Sequence, residues 1–184
     1  DEIIQKYTTN ASENTETTSI LGLIKTNWRT LATGLWNTIV LTVVALIFAS
    51  LIGIIFGLMK TSQNNIVQAI AGFYIDIIRG VPLIVLTFFI YFGIPQAFDI
   101  TMQPFVAGVI TLSLNASAYI AEIIRGGIQA VDKGQYEACM SLGLPYSKSM
   151  RKVILPQAIR IMVPSFINQL VITLKDTSIL SIIG

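Results

Sequence analysis

Hydrophobic positions along this chain fall into long blocks separated by short polar turns. Residues 30–59 carry no charge, and residues 36–59 are almost wholly apolar. At about 1.5 Å per residue, such a block crosses a hydrocarbon layer of roughly 30 Å as one helix. It ends at Lys60, and Thr61-Ser62-Gln63-Asn64-Asn65 supplies a polar turn. Upstream, Ile20, Leu23, Ile24 and Trp28 share one helical face with Lys25 and Arg29 opposite, the pattern of a helix lying at the membrane surface. Residues 1–19 are rich in Thr, Asn, Glu and Ser, with apolar side chains confined to Ile3, Ile4, Tyr7 and Ala11. That composition suits a tether rather than a core.

The next block, residues 66–98, is too long for one span and too short for two. Its first half has Ile66, Val67, Ile70, Phe73, Tyr74 and Ile77 at helical spacing, interrupted by Asp76 and Arg79. We expect that half at the interface, with Arg79 snorkelling to the polar boundary, and a span over residues 81–98. Pro82 favours a break there, because it disfavours helical geometry at Val81 and removes one backbone donor. Residues 105–124 predict a third span and residues 153–174 a fourth, the latter containing Pro156 and Pro164. The fold class is therefore an all-α polytopic helix bundle.

Composition agrees. The 184 residues are 53% hydrophobic and 12% charged, with mean hydropathy +0.71, whereas a soluble domain carries about 25% charged residues. With one cysteine, Cys139, and no histidine, an intrachain disulfide, a Cys/His zinc site and histidine acid–base catalysis are all excluded. The formal charge of +2 is too small to suggest a nucleic-acid partner. Lys and Arg set orientation. The Lys60 turn and the segment with Lys133, Lys148, Arg151 and Lys152 share one side, predicted cytoplasmic, while the Asp99 turn opposite has neither residue. The tether is then extracytoplasmic, although Lys6, Lys25 and Arg29 run against that orientation. Asp1 in place of Met, and an apolar last stretch DTSILSIIG, read as ends cut from something longer.

One stretch does not fit a plain bundle. Residues 134–160, GQYEACMSLGLPYSKSMRKVILPQAIR, form a polar, basic insert between two apolar blocks. Residues 136–144 predict a short helix ended by Gly143 and Pro145, and a second helix starts at Ser147 and is interrupted near Pro156. A plain connecting turn needs four or five residues. A short helix held crosswise between two spans is instead a lever that passes force to the bundle.

Gly134-Gln135-x-Glu137-Ala138-x-x-x-Leu142-Gly143, followed by Ile154-Leu155-Pro156-Gln157-Ala158, resembles the cytoplasmic "EAA" signature of permease subunits of binding-protein-dependent ABC importers. Arg79-Gly80-Val81-Pro82-Leu83, the run AYIAEIIRGG from Ala118 to Gly127, and Lys175-Asp176-Thr177-Ser178 resemble the polar amino-acid branch. The one departure is Cys139, where the signature has its second Ala. The resemblance implies a type I importer permease domain over residues 20–184, in a bacterial cell membrane. It implies a coupling helix near residues 135–145 whose Gly134, Glu137, Ala138, Leu142 and Gly143 meet an ATPase subunit. It implies no cofactor in this chain, with ATP and Mg on that ATPase; the chain has no Gly-x-x-x-x-Gly-Lys-[Ser/Thr] loop. It also implies a second permease subunit, the same or a sister, and an extracytoplasmic amino-acid binding protein or fused domain. Residues 1–7, DEIIQKY, resemble the last helix of such a domain, or are an ordinary chain end. Members of the branch usually have five spans, so a final one is expected after Gly184.

Polar stripes mark a candidate path. Thr111, Asn115, Tyr119 and Glu122 recur at steps of four, four and three, and Ser165, Gln169, Thr173 and Asp176 recur likewise. Facing lipid, a charged group at mid-bilayer costs on the order of 3 kcal/mol, so both stripes should face the bundle interior. Interhelical hydrogen bonding serves equally well for Thr111, Ser165 and Thr173. For Asn115, Gln169 and Asp176 solute contact is favoured, with Asp176 toward an ammonium and Asn115 toward a carboxylate. A neutral Gln169 favours an amide or similar side chain. Glu122 and Arg125 are spaced to pair with each other. The expected function is the membrane subunit of an ATP-driven amino-acid importer. The competing reading is a secondary transporter or channel without an ATPase, which would leave the insert without a purpose.

Overall fold

The computed structural model describes residues 20–183, and all their regular elements are helical. The chain divides into two compact units at Val40 and Leu41. α1 (Ile20–Lys60) is one unbroken helix, so the surface helix expected at residues 20–29 has no break separating it from the span expected at 36–59. No proline or glycine pair stands between them, and the backbone has no reason to leave helical geometry. The tether at residues 1–19 lies outside the described residues.

After the Lys60 turn, α2 (Asn65–Gly80) starts on a side-chain cap: Asn64 Oδ1 accepts from the Ile66 N–H at 2.9 Å and the Val67 N–H at 3.4 Å. Val81 and Pro82 are extended, with ψ of 126° and 138°, and the chain turns by 99° before the segment Leu83–Phe98. That segment comprises α3 (Leu83–Phe88), a π turn (Phe89–Gly93) and α4 (Ile94–Phe98). Alone it is short of the roughly 20 residues a crossing needs. Among the described residues, three helices are long and apolar enough to cross a membrane, and the bent pair makes a fourth when taken as one span.

α5 (Pro104–Gln129) is the central helix. Two thirds of its apolar window is buried (67%), against 22% for α1 and for the helix beginning at Tyr146. Its composition explains how. Ala107, Gly108, Thr111, Ser113, Ala116, Ser117 and Ala121 are small and buried, and small residues allow the close approach that holds membrane helices together. The fit against α1 is tight: a Cβ on Gly53 would lie 2.6 Å from Ile120 Cγ2 and 2.9 Å from the Ser117 carbonyl oxygen. Polar pins add direction. Ser113 Oγ donates to the Ala45 carbonyl (3.2 Å), and the Tyr74 and Ser117 hydroxyls bond at 2.7 Å. Phe56 stacks on Tyr74 at 4.0 Å.

α6 (Lys133–Ser141) follows, then α7 (Tyr146–Ser149), a second π turn (Met150–Ile154), α8 (Leu155–Asp176) and a 3-10 turn (Thr177–Ile182). The interruption expected near Pro156 is absent: Tyr146–Ile182 is one continuous helical run. The π turn accounts for it. A proline ring clashes with the carbonyl four residues back in α geometry. Here the residue before Pro156 bonds five back, Leu155 N–H to the Met150 carbonyl, and that wider turn makes room. Pro95 follows the same rule, with Ile94 N–H on the Phe89 carbonyl. α8 packs chiefly on α5.

Candidate functional site

α6 is closed by a cap at each end. Asp132 caps it, its Oδ1 accepting from the Gly134 N–H at 2.7 Å. Its far end closes through paired bonds, Leu144 N–H to the Cys139 carbonyl (3.0 Å) and Gly143 N–H to the Met140 carbonyl (2.9 Å). This closure needs a left-handed residue, and Gly143 supplies it at φ 69°. The helix therefore starts earlier than residue 136, and Asp132-x-x-Gln135 was the readable signal. Cys139 points inward and is buried. Gly134, Glu137, Ala138 and Leu142 are all exposed, Leu142 at 79%. Glu137 has no ion-pair partner among the described residues.

On its inner side α6 is tied to the bundle. Tyr136 meets Tyr146 edge-on with ring centroids 5.9 Å apart, and Gln157 Nε2 donates to Gln135 Oε1 at 3.2 Å. Neither link was readable from the sequence, because both join positions on different elements. Gln157 stands next to Pro156, directly after the π turn. The signature's two halves thus touch.

Two of the cavities beside α5 take in residues of both polar stripes. One, of about 470 Å³, is lined by Arg79, Tyr119, Glu122, Ser165, Asn168 and Gln169, among others. The other, of about 360 Å³, is lined by Arg79, residues 80–83, Asn115, Tyr119, Ile172 and Asp176. Arg79, Tyr119 and Ile172 belong to both walls. Of the four path residues expected, Asn115 and Asp176 meet in the smaller cavity and Gln169 lines the larger. Thr111 lines neither: it is fully buried, and its hydroxyl donates to the Ala107 carbonyl at 2.8 Å. Gln169 is 4% exposed, with its amide nitrogen 3.3 Å from Thr173 Oγ1.

Arg79 does not reach out alone to the polar boundary. Its guanidinium lies over the Tyr119 ring, 5.1 Å from the centroid, and 3.8 Å from Glu122 Oε2. Glu122 is already engaged: Arg125 Nε reaches both carboxylate oxygens at 3.1 Å and its Nη2 reaches Oε2 at 2.7 Å. Arg125 Nη1 also donates to Gln129 Oε1 at 2.6 Å. Two guanidiniums thus share one carboxylate, and Arg79 is the loosely held one. The step of three from Glu122 to Arg125 could be read in advance. The arrival of Arg79 from α2 could not.

Residues 49–184 match the family model described as a binding-protein-dependent transport system inner membrane component. The arginine transport system permease protein ArtQ of Bacillus subtilis (strain 168) is 42% identical over 151 residues, covering 82% of this chain and 69% of the relative. The putative glutamine transport system permease protein GlnP of Rickettsia felis is 41% identical over 147 residues, covering 80% and 67%. Among solved structures, an amino acid ABC transporter crystallised with histidines superposes at TM-score 0.85, with 42% identity over 91% of this chain and 78% of that one. The inward-facing methionine ABC transporter MetNI, at 22% identity and TM-score 0.69 over 84% of this chain and 74% of that one, shares the fold. The chain is a multi-pass membrane protein and belongs to the family of binding-protein-dependent transport system inner membrane components, the permease subunits of ABC importers.

Proposed function

We propose that this chain forms the solute path of an ATP-driven importer of polar amino acids, and that α6 docks on a separate ATPase which carries the ATP and Mg. The observation that carries the path is one cavity presenting Arg79, Asn115 and Asp176 together. An amino-acid zwitterion needs donors for its carboxylate and an anion for its ammonium. Arg79, loosely paired as it is, and Asn115 supply the first, and Asp176 supplies the second. The neighbouring cavity then takes the side chain, beside Ser165, Asn168 and Gln169, which are neutral and hydrogen-bonding. That lining suits glutamine and similar amides. The relatives are named for arginine, glutamine and cystine transport, which supports the amino-acid class.

Coupling runs from the exposed face of α6, through Gln135 and Gln157, to α8. A second permease subunit, alike or sister, completes the membrane part, and an extracytoplasmic binding protein or fused domain delivers the solute. Family membership favours this reading over a secondary transporter.

The test of the path is uptake of labelled glutamine, arginine and cystine into proteoliposomes holding the chain with its ATPase and binding protein. Asp176→Asn should lower uptake by about 10-fold or more, since removing one partner of a close charge contact costs upward of about 2 kcal/mol. Unaltered uptake in both Asp176→Asn and Arg79→Gln would overturn the assignment.

A further inference from the structure

A third cavity, of about 650 Å³, takes no part in the proposed path. It lies where the membrane helices end. Lys60 closes α1, Gln129 closes α5 and Tyr146 opens the run into α8, and all three residues line it. That is the depth at which lipid headgroups sit.

Its chemistry is cationic and amphipathic. Lys60 and Lys133 both line it, and neither forms an ion pair among the described residues. Among the described residues the one carboxylate in the wall is Asp132, whose Oδ1 accepts from the Gly134 N–H, so the two lysines outnumber it. The Lys60 ammonium lies directly against Gly72 of α2, in space that a side-chain carbon there would fill, and Glu122 attracts it without an ion-pair contact. Val131 and Ile154 give a buried apolar wall, while Gln68 and Lys133 on the open side are exposed. Tyr136 and Tyr146 add rings with hydroxyl ends, the side-chain type enriched at membrane–water boundaries.

We propose that this cavity binds the headgroup of an anionic phospholipid, with its phosphate between Lys60 and Lys133 and its glycerol against the apolar wall. Basic pockets between membrane helices recognise such headgroups by this combination of charge and depth. The lipid would stand behind α6, on the side bearing Lys133 and Tyr136 rather than the side bearing Glu137.

The test uses the purified complete transporter, exchanged into nanodiscs of phosphatidylcholine with and without about one third phosphatidylglycerol, with retained lipid counted by native mass spectrometry. Phosphatidylglycerol should be retained over phosphatidylcholine, and millimolar inorganic phosphate should not displace it. Lys60→Gln with Lys133→Gln should reduce the preference by about 5-fold per lysine. Gln68→Glu, a change at an exposed position, should reduce it too, while Lys60→Arg with Lys133→Arg should keep it. Equal retention of the two lipids, or a preference that survives both the double Gln variant and Gln68→Glu, would overturn the proposal. Displacement by inorganic phosphate would also overturn it, assigning the cavity to a small soluble anion.

Discussion

Arg79 shows what a single residue contributes that sequence spacing cannot. Steps of three and four place Glu122 and Arg125 together on α5, so their bond was legible. Arg79 reaches the same carboxylate because α2 packs along α5, and no periodicity within one helix carries that placement. Thr111 is the converse case. It shares the Asn115 stripe, yet a threonine hydroxyl can satisfy itself on the carbonyl four residues back, and its neighbours here are protein. Two predictions belong at this scale. Gln169→Glu adds an unpaired carboxylate to the side-chain cavity, where Glu122 is already engaged by Arg79 and Arg125, so uptake should shift from glutamine toward arginine; an unchanged order of preference would count against the side-chain assignment. Gly53→Ala should force α1 from α5 and destabilise the subunit by about 1–3 kcal/mol. Gly34→Ala, with nothing within 4 Å of the new carbon, should be neutral or slightly stabilising. Thermal unfolding of the two variants in detergent should therefore diverge, and equal midpoints would refute the packing argument.

At the level of elements, most helices announced themselves by length and hydropathy, and the Pro82 break and Gly143 stop by residue type. What stayed hidden was how prolines are absorbed. A proline within a helical pattern predicts a kink or an end, whereas both Pro95 and Pro156 sit just after π turns that let the helix continue. For α6, the cap geometry makes a local prediction. Gly143→Ala puts a side chain at φ 69°, a strain of about 1–2 kcal/mol. The amides of Gly143 and Leu144 should then exchange hydrogen several-fold faster, with little change in α5. Unchanged exchange at those two amides would show that the closing bonds do not depend on glycine.

At the scale of the whole molecule three parts work together: a central small-residue helix, paired cavities beside it, and a short exposed helix tied to α8 through Gln135 and Gln157. The first was legible as a span though not as the centre, and the short helix of the third as a motif though not its ties to α8. The cavities were legible only as stripes, because a stripe tells which face is polar and not whether that face meets solute or protein. The most direct measurement is amino-acid accumulation in proteoliposomes of the complete transporter, with Mg-ATP supplied on the α6 side and a protonophore present. We predict accumulation that requires ATP, survives the protonophore, and is lost in Glu137→Lys while ATP hydrolysis and the fold of the membrane subunit persist. Accumulation that proceeds without ATP and collapses with the protonophore, or full transport by Glu137→Lys, would contradict it.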